Sequence, residues 1–298
     1  MNGVTRRRFD FLIAFGLVMA SGHADAQQPA RVTILYDAFG PPSALQRDWG
    51  FAALVEYGGR RILFDTGNDA PTFARNVKQL GVDLTRLDAV VISHRHGDHT
   101  TGLEVVVAAN PGVPIYVPQE PAFFGGGAPK EFLARDPSLP PQMRYFDGKD
   151  SVLRSGTPWP EAKFQSVRGT TEILPGFFVL TTRSEKAGTR EMNELSLAIR
   201  TPRGLAVLVG CSHPGVEKIL AGAAQIDKQL HTTIGGFHLV LAPGEEIERV
   251  VNMLHDTLGL QRVAPGHCTS EPGFAAFMRK FGDRFDQAGL GAVLPLPH

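Results

Sequence analysis

The chain carries its most decisive stretch at Leu87-Asp88-Ala89-Val90-Val91-Ile92-Ser93-His94-Arg95-His96-Gly97-Asp98-His99. The apolar run from Leu87 to Ile92 predicts a buried β-strand. Three imidazoles and a carboxylate follow it within a few residues, and these groups are ligands for zinc and similar divalent ions. A turn lets such side chains converge, whereas a straight strand sends them to opposite faces. The sequence therefore predicts a metal site at the end of this strand, and the contrary interpretation is a solvated polar loop.

The spacing within this stretch predicts two neighbouring ions. His94 and His96 can share one ion, and Asp98 with His99 can reach a second ion beside it. Further motifs of the same kind occur before and after it, each next to an apolar run. They are Asp65-Thr66-Gly67, Gly210-Cys211-Ser212-His213-Pro214-Gly215, Gly235-Gly236-Phe237-His238-Leu239 and Pro265-Gly266-His267-Cys268-Thr269.

This combination of motifs resembles the metallo-β-lactamase superfamily. The later signatures are similar to the branch that includes the archaeal dihydropterin ribofuranosylaminobenzene phosphate synthase and its bacterial relatives. The resemblance spans about residues 32 to 290. It implies an α/β fold, a four-layer αβ/βα sandwich in a single domain over residues 27–298, and a metal-dependent reaction, but it does not specify a substrate.

The resemblance also implies a ligand set, with two departures from the superfamily pattern. No histidine occurs between residues 100 and 212, and Cys211 occupies the usual position of a bridging aspartate. Without that aspartate, only water or hydroxide is expected to bridge the two ions, so that the second ion binds more weakly or is lost. The predicted metal ligands are His94, His96 and His213 for the first ion, and Asp98, His99 and His267 for the second.

The predicted function is a metal-dependent hydrolase that uses a metal-bound hydroxide on a small ester, lactone, amide or phosphodiester. The cofactor is one or two divalent ions, with zinc expected and iron or manganese also suited to these ligands. The predicted catalytic residues are Asp98, which orients the hydroxide or holds the second ion, and His238. The alternatives are a non-catalytic metal-binding or ligand-sensing module, a transferase or synthase, and a strict β-lactamase, against which the absent middle histidine argues.

Several residues keep more than one interpretation. His238 ligates metal in place of His267, donates a proton to a leaving group, or lies satisfied in the core. Glu194 is either a carboxylate of the pocket or a solvated entry to a strand. Cys211 and Cys268 either fill space as buried thiols or form a disulfide, or Cys211 ligates metal.

The first 26 residues predict an export signal of the twin-arginine type. Thr5-Arg6-Arg7-Arg8-Phe9 precedes an apolar stretch from Phe11 to Ala20, and Ala24-Asp25-Ala26 offers a cleavage site. The expected location is the periplasm, with no membrane association after cleavage; an uncleaved anchor is the alternative.

Charge and composition limit the partners. Removal of residues 1–26 leaves 27 basic and 28 acidic residues. A nearly neutral chain without a basic run argues against nucleic-acid binding, which depends on many lysine and arginine contacts. The expected partner is a small-molecule substrate, and the sequence does not predict an oligomeric state.

Hydrophobic periodicity predicts consecutive strands at the start of the domain and an alternation of strands and helices later in the chain. A segment at about 119–169 departs from this rhythm, because it is rich in proline and glycine and carries several aromatic residues. It is interpreted as an insertion that either covers a substrate pocket or is only a surface loop. The predicted strands are 31–36, 51–56, 61–64, 87–92, 115–117, 177–181, 195–200, 205–209, 231–234 and 262–264, and the predicted helices are 72–80, 216–226 and 245–258.

Overall fold

The computed structural model describes residues 29–120, 136–144, 162–189 and 192–298, together with Met1 and Trp159. The predicted export signal lies outside the described residues, and so does most of the predicted insertion at 119–169. The strands of the described part are β1 (Arg31–Tyr36), β2 (Ala52–Tyr57), β3 (Arg60–Phe64), β4 (Ala89–Val91), β5 (Pro114–Pro118), β6 (Lys163–Val167), β7 (Thr170–Leu174), β8 (Phe177–Arg183), β9 (Asn193–Thr201), β10 (Gly204–Val209), β11 (Leu230–Gly236), β12 (Arg262–Gly266) and β13 (Val293–Pro295).

The helices lie mostly between strands of the parallel regions. They are α1 (Ala70–Gln79), α2 (Gly97–Thr100), α3 (Leu103–Ala109), α4 (Val216–Ala223), α5 (Gly244–Asn252) and α6 (Glu271–Phe281). Local chemistry sets their ends. The Asp69 side chain accepts a hydrogen bond from the Thr72 amide at the start of α1, and Ser270 does the same for Gly273 at the start of α6.

The described strands form two mixed sheets with the same plan. The first has the order β13-β1-β2-β3-β4-β5-β6, and the second has the order β12-β11-β10-β9-β8-β7. Strands β1 to β3 are antiparallel, whereas β3 to β6 run parallel. Likewise, β7 to β10 are antiparallel, whereas β10 to β12 run parallel. The parallel region of each sheet presents several strand ends at one edge.

Three apolar clusters define the layers. One cluster lies between the sheets and contains residues of both, such as Phe64 and Leu197. A second packs the outer face of the first sheet against α1 and α3, through residues such as Phe73 and Val106. The third packs the second sheet against α4, α5 and α6. The fold is therefore the four-layer αβ/βα sandwich that the sequence predicts, with a helical layer outside each sheet.

The structure differs from the prediction at several elements. The predicted helix 245–258 is α-helical only to Asn252 and continues as a π-helical turn, Met253–Thr257. Strands β6 and β7 were not predicted, because their mostly exposed residues lack an apolar run. Helix α3 is rich in valine, which favours strands, and it was also missed. Among the described residues, no helix has the length and apolar character needed to cross a bilayer.

Candidate metal centre

The polar motifs lie at the carboxyl ends of strands from both sheets. Asp65 follows β3 and His94 lies beyond β4 in the first sheet, whereas His213, His238 and His267 follow β10, β11 and β12 in the second. Since the parallel strands of each sheet end at one edge, these loops meet there. The site therefore lies where the two sheets open toward the same end of the sandwich.

The backbone is unusual at this edge. Five non-glycine residues of the described part have positive φ angles, and all lie in or beside the motif loops: Asp65 (58°), Ser212 (61°), His238 (48°), His267 (44°) and Ser270 (75°). Left-handed backbone is costly for residues with a Cβ atom. Such conformations concentrate at functional sites, where the surrounding structure holds them in place.

His94, His96 and His213 form the first group of ring nitrogens. His94 Nε2 lies 3.1 Å from His96 Nδ1 and 3.2 Å from His213 Nε2. The ligand atoms of His94, His213 and Cys211 all lie within 4.8 Å of one another. The structure thus brings together the three histidines predicted for the first ion.

Asp98, His99 and His267 form the second group. Asp98 Oδ2 lies 3.6 Å from His99 Nε2 and 3.4 Å from His267 Nε2. Together with the Cys211 sulfur, their ligand atoms all lie within 4.8 Å of one another. The three residues predicted for the second ion are therefore also brought together.

The buried ring of His267 tests whether these groups suit a metal ion. His267 is fully buried; its Nδ1 has no partner among the described residues, and its Nε2 makes no hydrogen bond there although Asp98 Oδ2 lies 3.4 Å away. An unpaired polar group in the interior costs free energy, whereas a ligated nitrogen does not bear that cost. Imidazole and carboxylate donors at these distances fit a divalent ion of the zinc type.

Asp65 fixes the ring orientation and tautomer of two of these histidines. Its Oδ2 atom accepts hydrogen bonds from His99 Nδ1 at 2.7 Å and from the Ser93 hydroxyl at 2.7 Å. Because Ser93 donates its only hydroxyl proton to Asp65, it accepts from His94 Nδ1, which lies 2.8 Å from its oxygen. Both rings therefore carry their proton on Nδ1 and present the lone pair of Nε2 to the centre.

Glu194 and Asp37 hold the ligand loops through the backbone. Glu194 is fully buried, and its carboxylate accepts the backbone N–H groups of Cys211 (3.0 Å), Ser212 (2.7 Å) and His213 (2.8 Å). Asp37 accepts the His267 N–H at 2.8 Å. Glu194 is thus neither solvated nor aimed into the pocket. Sequence reasoning missed both roles, and the only signal for Asp37 is its place directly after β1.

Burial sets the charge state of the first group. It lowers the pKa of His94 and His96, and it lowers that of His213 to about 3. Burial also acts to raise the pKa of Asp98, but contact with His267 and electrostatic attraction to the His99 ring outweigh it and hold that pKa below its ordinary range. Neutral imidazoles beside a carboxylate anion are the forms that bind a cation.

His238 lies at the mouth of the centre. Its ring packs against the ring of His213 with 4.2 Å between centroids, and it is only partly buried. This position disagrees with the core interpretation of His238. It is His267 that joins Asp98 and His99, while His238 groups with Cys211 and Cys268. Trp49, which the sequence reading did not single out, packs against His267 and is 46% exposed.

Both cysteines are free and buried. The Cys268 thiol donates to the Cys211 carbonyl oxygen at 3.5 Å, and its sulfur accepts the His238 N–H at 3.3 Å. The disulfide interpretation is therefore not what the structure shows. The Cys211 sulfur lies 3.1 Å from His99 Nε2.

Comparison with known proteins agrees with this geometry. A family model of the metallo-beta-lactamase superfamily matches residues 49–244. The 7,8-dihydropterin-6-methyl-4-(beta-D-ribofuranosyl)-aminobenzene-5'-phosphate synthase of Methanocaldococcus jannaschii is 27% identical over 294 residues, which cover 87% of this chain and 93% of that protein.

Solved structures share the same architecture. Tm1679, described as a metal-dependent hydrolase of the beta-lactamase superfamily, superposes with a TM-score of 0.68 and 27% identity over 90% of this chain and all of that one. The metallo-beta-lactamase fold protein YhfI from Bacillus subtilis gives a TM-score of 0.55 at 15% identity, covering 89% of this chain and 99% of that one, and shows the fold alone.

Proposed function

Because the chain belongs to the metallo-beta-lactamase superfamily, we propose that it is a metal-dependent hydrolase of a small ester, lactone, amide or phosphodiester. The observation that carries this proposal is the convergence of six ligand side chains from three loops, with two rings already held in the tautomer that binds metal. Tm1679, which shares the fold over its whole length, is described as a metal-dependent hydrolase.

The ion-binding residues would be His94, His96 and His213 in one group and Asp98, His99 and His267 in the other. A divalent ion bound there would polarise an oxygen of the substrate and make a water molecule available as nucleophile at neutral pH. Each group offers three such ligands, and sites with three protein ligands leave room for substrate. This supports a catalytic role over a closed, purely structural one.

The chain's own residues would then position and protonate the reacting groups. Asp98 is 18% exposed, and its anionic carboxylate would accept a proton from the attacking water or orient it. His238, at the mouth, would donate a proton to the leaving group. Trp49 would form an apolar wall for part of the substrate next to His267.

A second candidate function is a group-transfer or synthase reaction. It is favoured by the Methanocaldococcus jannaschii relative, which is named as a synthase and matches over 93% of its own length. The same centre would serve both, because polarising an oxygen assists attack by water and by another nucleophile alike. Product analysis with and without added acceptor alcohols or amines distinguishes the two.

The test combines metal analysis with a substrate panel. The purified chain is expected to contain one or two divalent ions and to turn over activated esters, lactones or phosphodiesters in a way that EDTA abolishes and added zinc restores. His96→Ala should lose bound metal and activity together, whereas His298→Ala at the C-terminus should change neither. Stoichiometric metal in His96→Ala would contradict the assignment, and full activity in EDTA would contradict the metal-dependent mechanism.

We also propose that residues 1–26 direct export of the folded enzyme to the periplasm. The Arg6-Arg7 pair and the apolar stretch after it support this. Replacing both arginines by lysine should retain the protein in the cytoplasm on cell fractionation, whereas Arg31→Lys should leave export unchanged. Unchanged export of the double variant would contradict a twin-arginine route.

A further inference from the structure

Cys211 occupies a place that no other side chain of the described centre shares. Its sulfur lies within 4.8 Å of the ligand atoms of His94 and His213 on one side. It also lies within 4.8 Å of those of Asp98, His99 and His267 on the other. Two ligands of one ion, each 2.0–2.3 Å from it, are separated by at most about 4.4 Å. Small side-chain shifts therefore suffice to bring the sulfur onto either ion.

We propose that the Cys211 thiolate is a ligand shared by the two ions, and that it takes the bridging role for which the sequence analysis expected only water or hydroxide. This inference rests on the metal centre proposed above. It changes the chemistry of that centre, because sulfur is a softer donor than carboxylate oxygen. Thiolate ligation favours zinc or iron over manganese and magnesium.

The surroundings of Cys211 suit this role. The residue is only 4% exposed, and the ring nitrogen that faces its sulfur is His99 Nε2, at 3.1 Å. Since Asp65 accepts from His99 Nδ1, the Nε2 atom offers a lone pair toward the same space as the sulfur. Glu194 fixes the loop by accepting the Cys211 N–H, so the sulfur is placed by a buried backbone anchor.

Ligation requires that the S–H bond breaks and a metal–sulfur bond forms, with the proton leaving to solvent. No oxidant or reductant is involved. The shared sulfur would be a fourth protein ligand for each group, so the room for substrate argued above would have to be a fifth position. A substrate or water would add as a fifth, a coordination number that catalytic zinc sites reach.

Cys268 offers the competing arrangement and also the matched control. It forms a third group with Cys211 and His238, so an ion held by the two thiols is the alternative. However, the Cys268 thiol donates to the Cys211 carbonyl, and its sulfur accepts the His238 N–H. These backbone hydrogen bonds give Cys268 a structural role that needs no ion.

The experiment uses cobalt as a spectroscopic probe in the full chain. The protein is stripped with EDTA and titrated with Co²⁺ while absorption and bound cobalt are measured. A shared thiolate is expected to give sulfur-to-cobalt charge-transfer absorption in the near ultraviolet that appears with the first equivalent and increases with the second. Cys211→Ser should lose this absorption, Cys268→Ser should keep it, and Cys211→Asp should bind two cobalt ions without it.

Two results would overturn the proposal. One is cobalt binding by the unaltered chain without any sulfur absorption, which needs no variant to interpret. The other is loss of the absorption in Cys268→Ser, or its persistence in folded Cys211→Ser, with folding checked by circular dichroism. Failure of the unaltered chain to bind cobalt or zinc at all would instead refute the metal-dependent hydrolase, so the two failures are distinguishable.

Discussion

At the residue scale, the candidate centre is organised by carboxylates whose contacts are with histidine rings and with backbone. Asp65 orients His99 directly and His94 through Ser93. Glu194 and Asp37 hold the loops of His213 and His267 by their N–H groups. Loss of such outer contacts commonly costs about 10- to 100-fold in metal affinity or activity.

His238→Asn tests the proposed proton donor. Asparagine tolerates the positive φ at this position but cannot supply a titratable proton. We expect unchanged metal content and a kcat about 10²- to 10⁴-fold lower, the usual contribution of a general acid. His255→Asn, on the π-helical turn, is the control and should leave kcat unchanged. Loss of metal from His238→Asn would show instead that His238 is a ligand.

At the element scale, the loops after the parallel strands carry the chemistry, and the sheets fix their positions. The loop after β10 is held by Glu194 on β9, so one strand secures the end of its neighbour. At the next strand, Gly235 of β11 has a φ of +126°, and a Cβ atom there would lie 1.9 Å from the Val209 carbonyl oxygen. Close approach of β10 and β11 therefore requires glycine.

Glu194→Gln should weaken the hydrogen bonds that hold the loop after β10 in place. The amide replaces one acceptor oxygen by an NH₂ group that opposes a backbone N–H. We expect a loss of about 1–3 kcal/mol in the free energy of unfolding, the cost of an unsatisfied buried donor, and weaker metal binding. Glu104→Gln on the exposed face of α3 is the control. Chemical denaturation and zinc titration measure both effects, and an unchanged midpoint with unchanged affinity would contradict the anchoring role.

Gly235→Ala should be severely destabilising. The clash with Val209 and the positive φ together are expected to cost at least about 3 kcal/mol. Gly222→Ala on α4 is the matched comparison, because its added Cβ meets no atom within 4 Å and alanine stabilises a helix by about 0.5–1 kcal/mol. In thermal unfolding, the melting temperature of Gly235→Ala should lie below that of the unaltered chain, and that of Gly222→Ala should lie above it. Similar melting temperatures for the two variants would refute the argument.

At the scale of the whole molecule, the layered fold was predictable because its core strands are apolar runs and its motifs recur at strand ends. Leu87 to Ile92 and Leu205 to Val209 show this directly. The polar edge strands β6 and β7 were not predictable in this way, since they carry no apolar run. Likewise, the contacts of Glu194 join residues 17 to 19 positions apart, and only the folded sheet shows them.

Metal stoichiometry should depend on pH in two steps. Protons compete with metal only at ligands whose pKa lies near or above the working pH. Burial lowers the pKa of His213 to about 3, so this imidazole stays unprotonated in mild acid, whereas the shared Cys211 thiol affects both groups alike. Burial also acts to lower the pKa of His267, but the electrostatic effect of Cys268 and the contact with Asp98 outweigh it and raise that pKa above its ordinary value.

A chain carrying two ions at about pH 8 should therefore retain one after dialysis at about pH 6, because His267 is protonated as the pH falls through its raised pKa. Elemental analysis of the dialysed protein measures this. Simultaneous loss of both ions, or retention of both, would contradict the proposed difference in pH dependence between the two groups of ligands.

Asp98 and His99 extend from one sheet, whereas His213 and His267 extend from the other. An ion bound by either group would join the two sheets at the open end of the sandwich, because each group takes ligands from both sheets. Without the ion, each sheet would keep its fold, but the edge where the ligand loops meet would open more readily. The loops after β4, β10 and β12 would then be the first to be cleaved by proteases. Limited digestion should cut the metal-free protein in those loops and leave the zinc-loaded protein uncut there. Metal supply would then govern how long the protein persists as well as its activity.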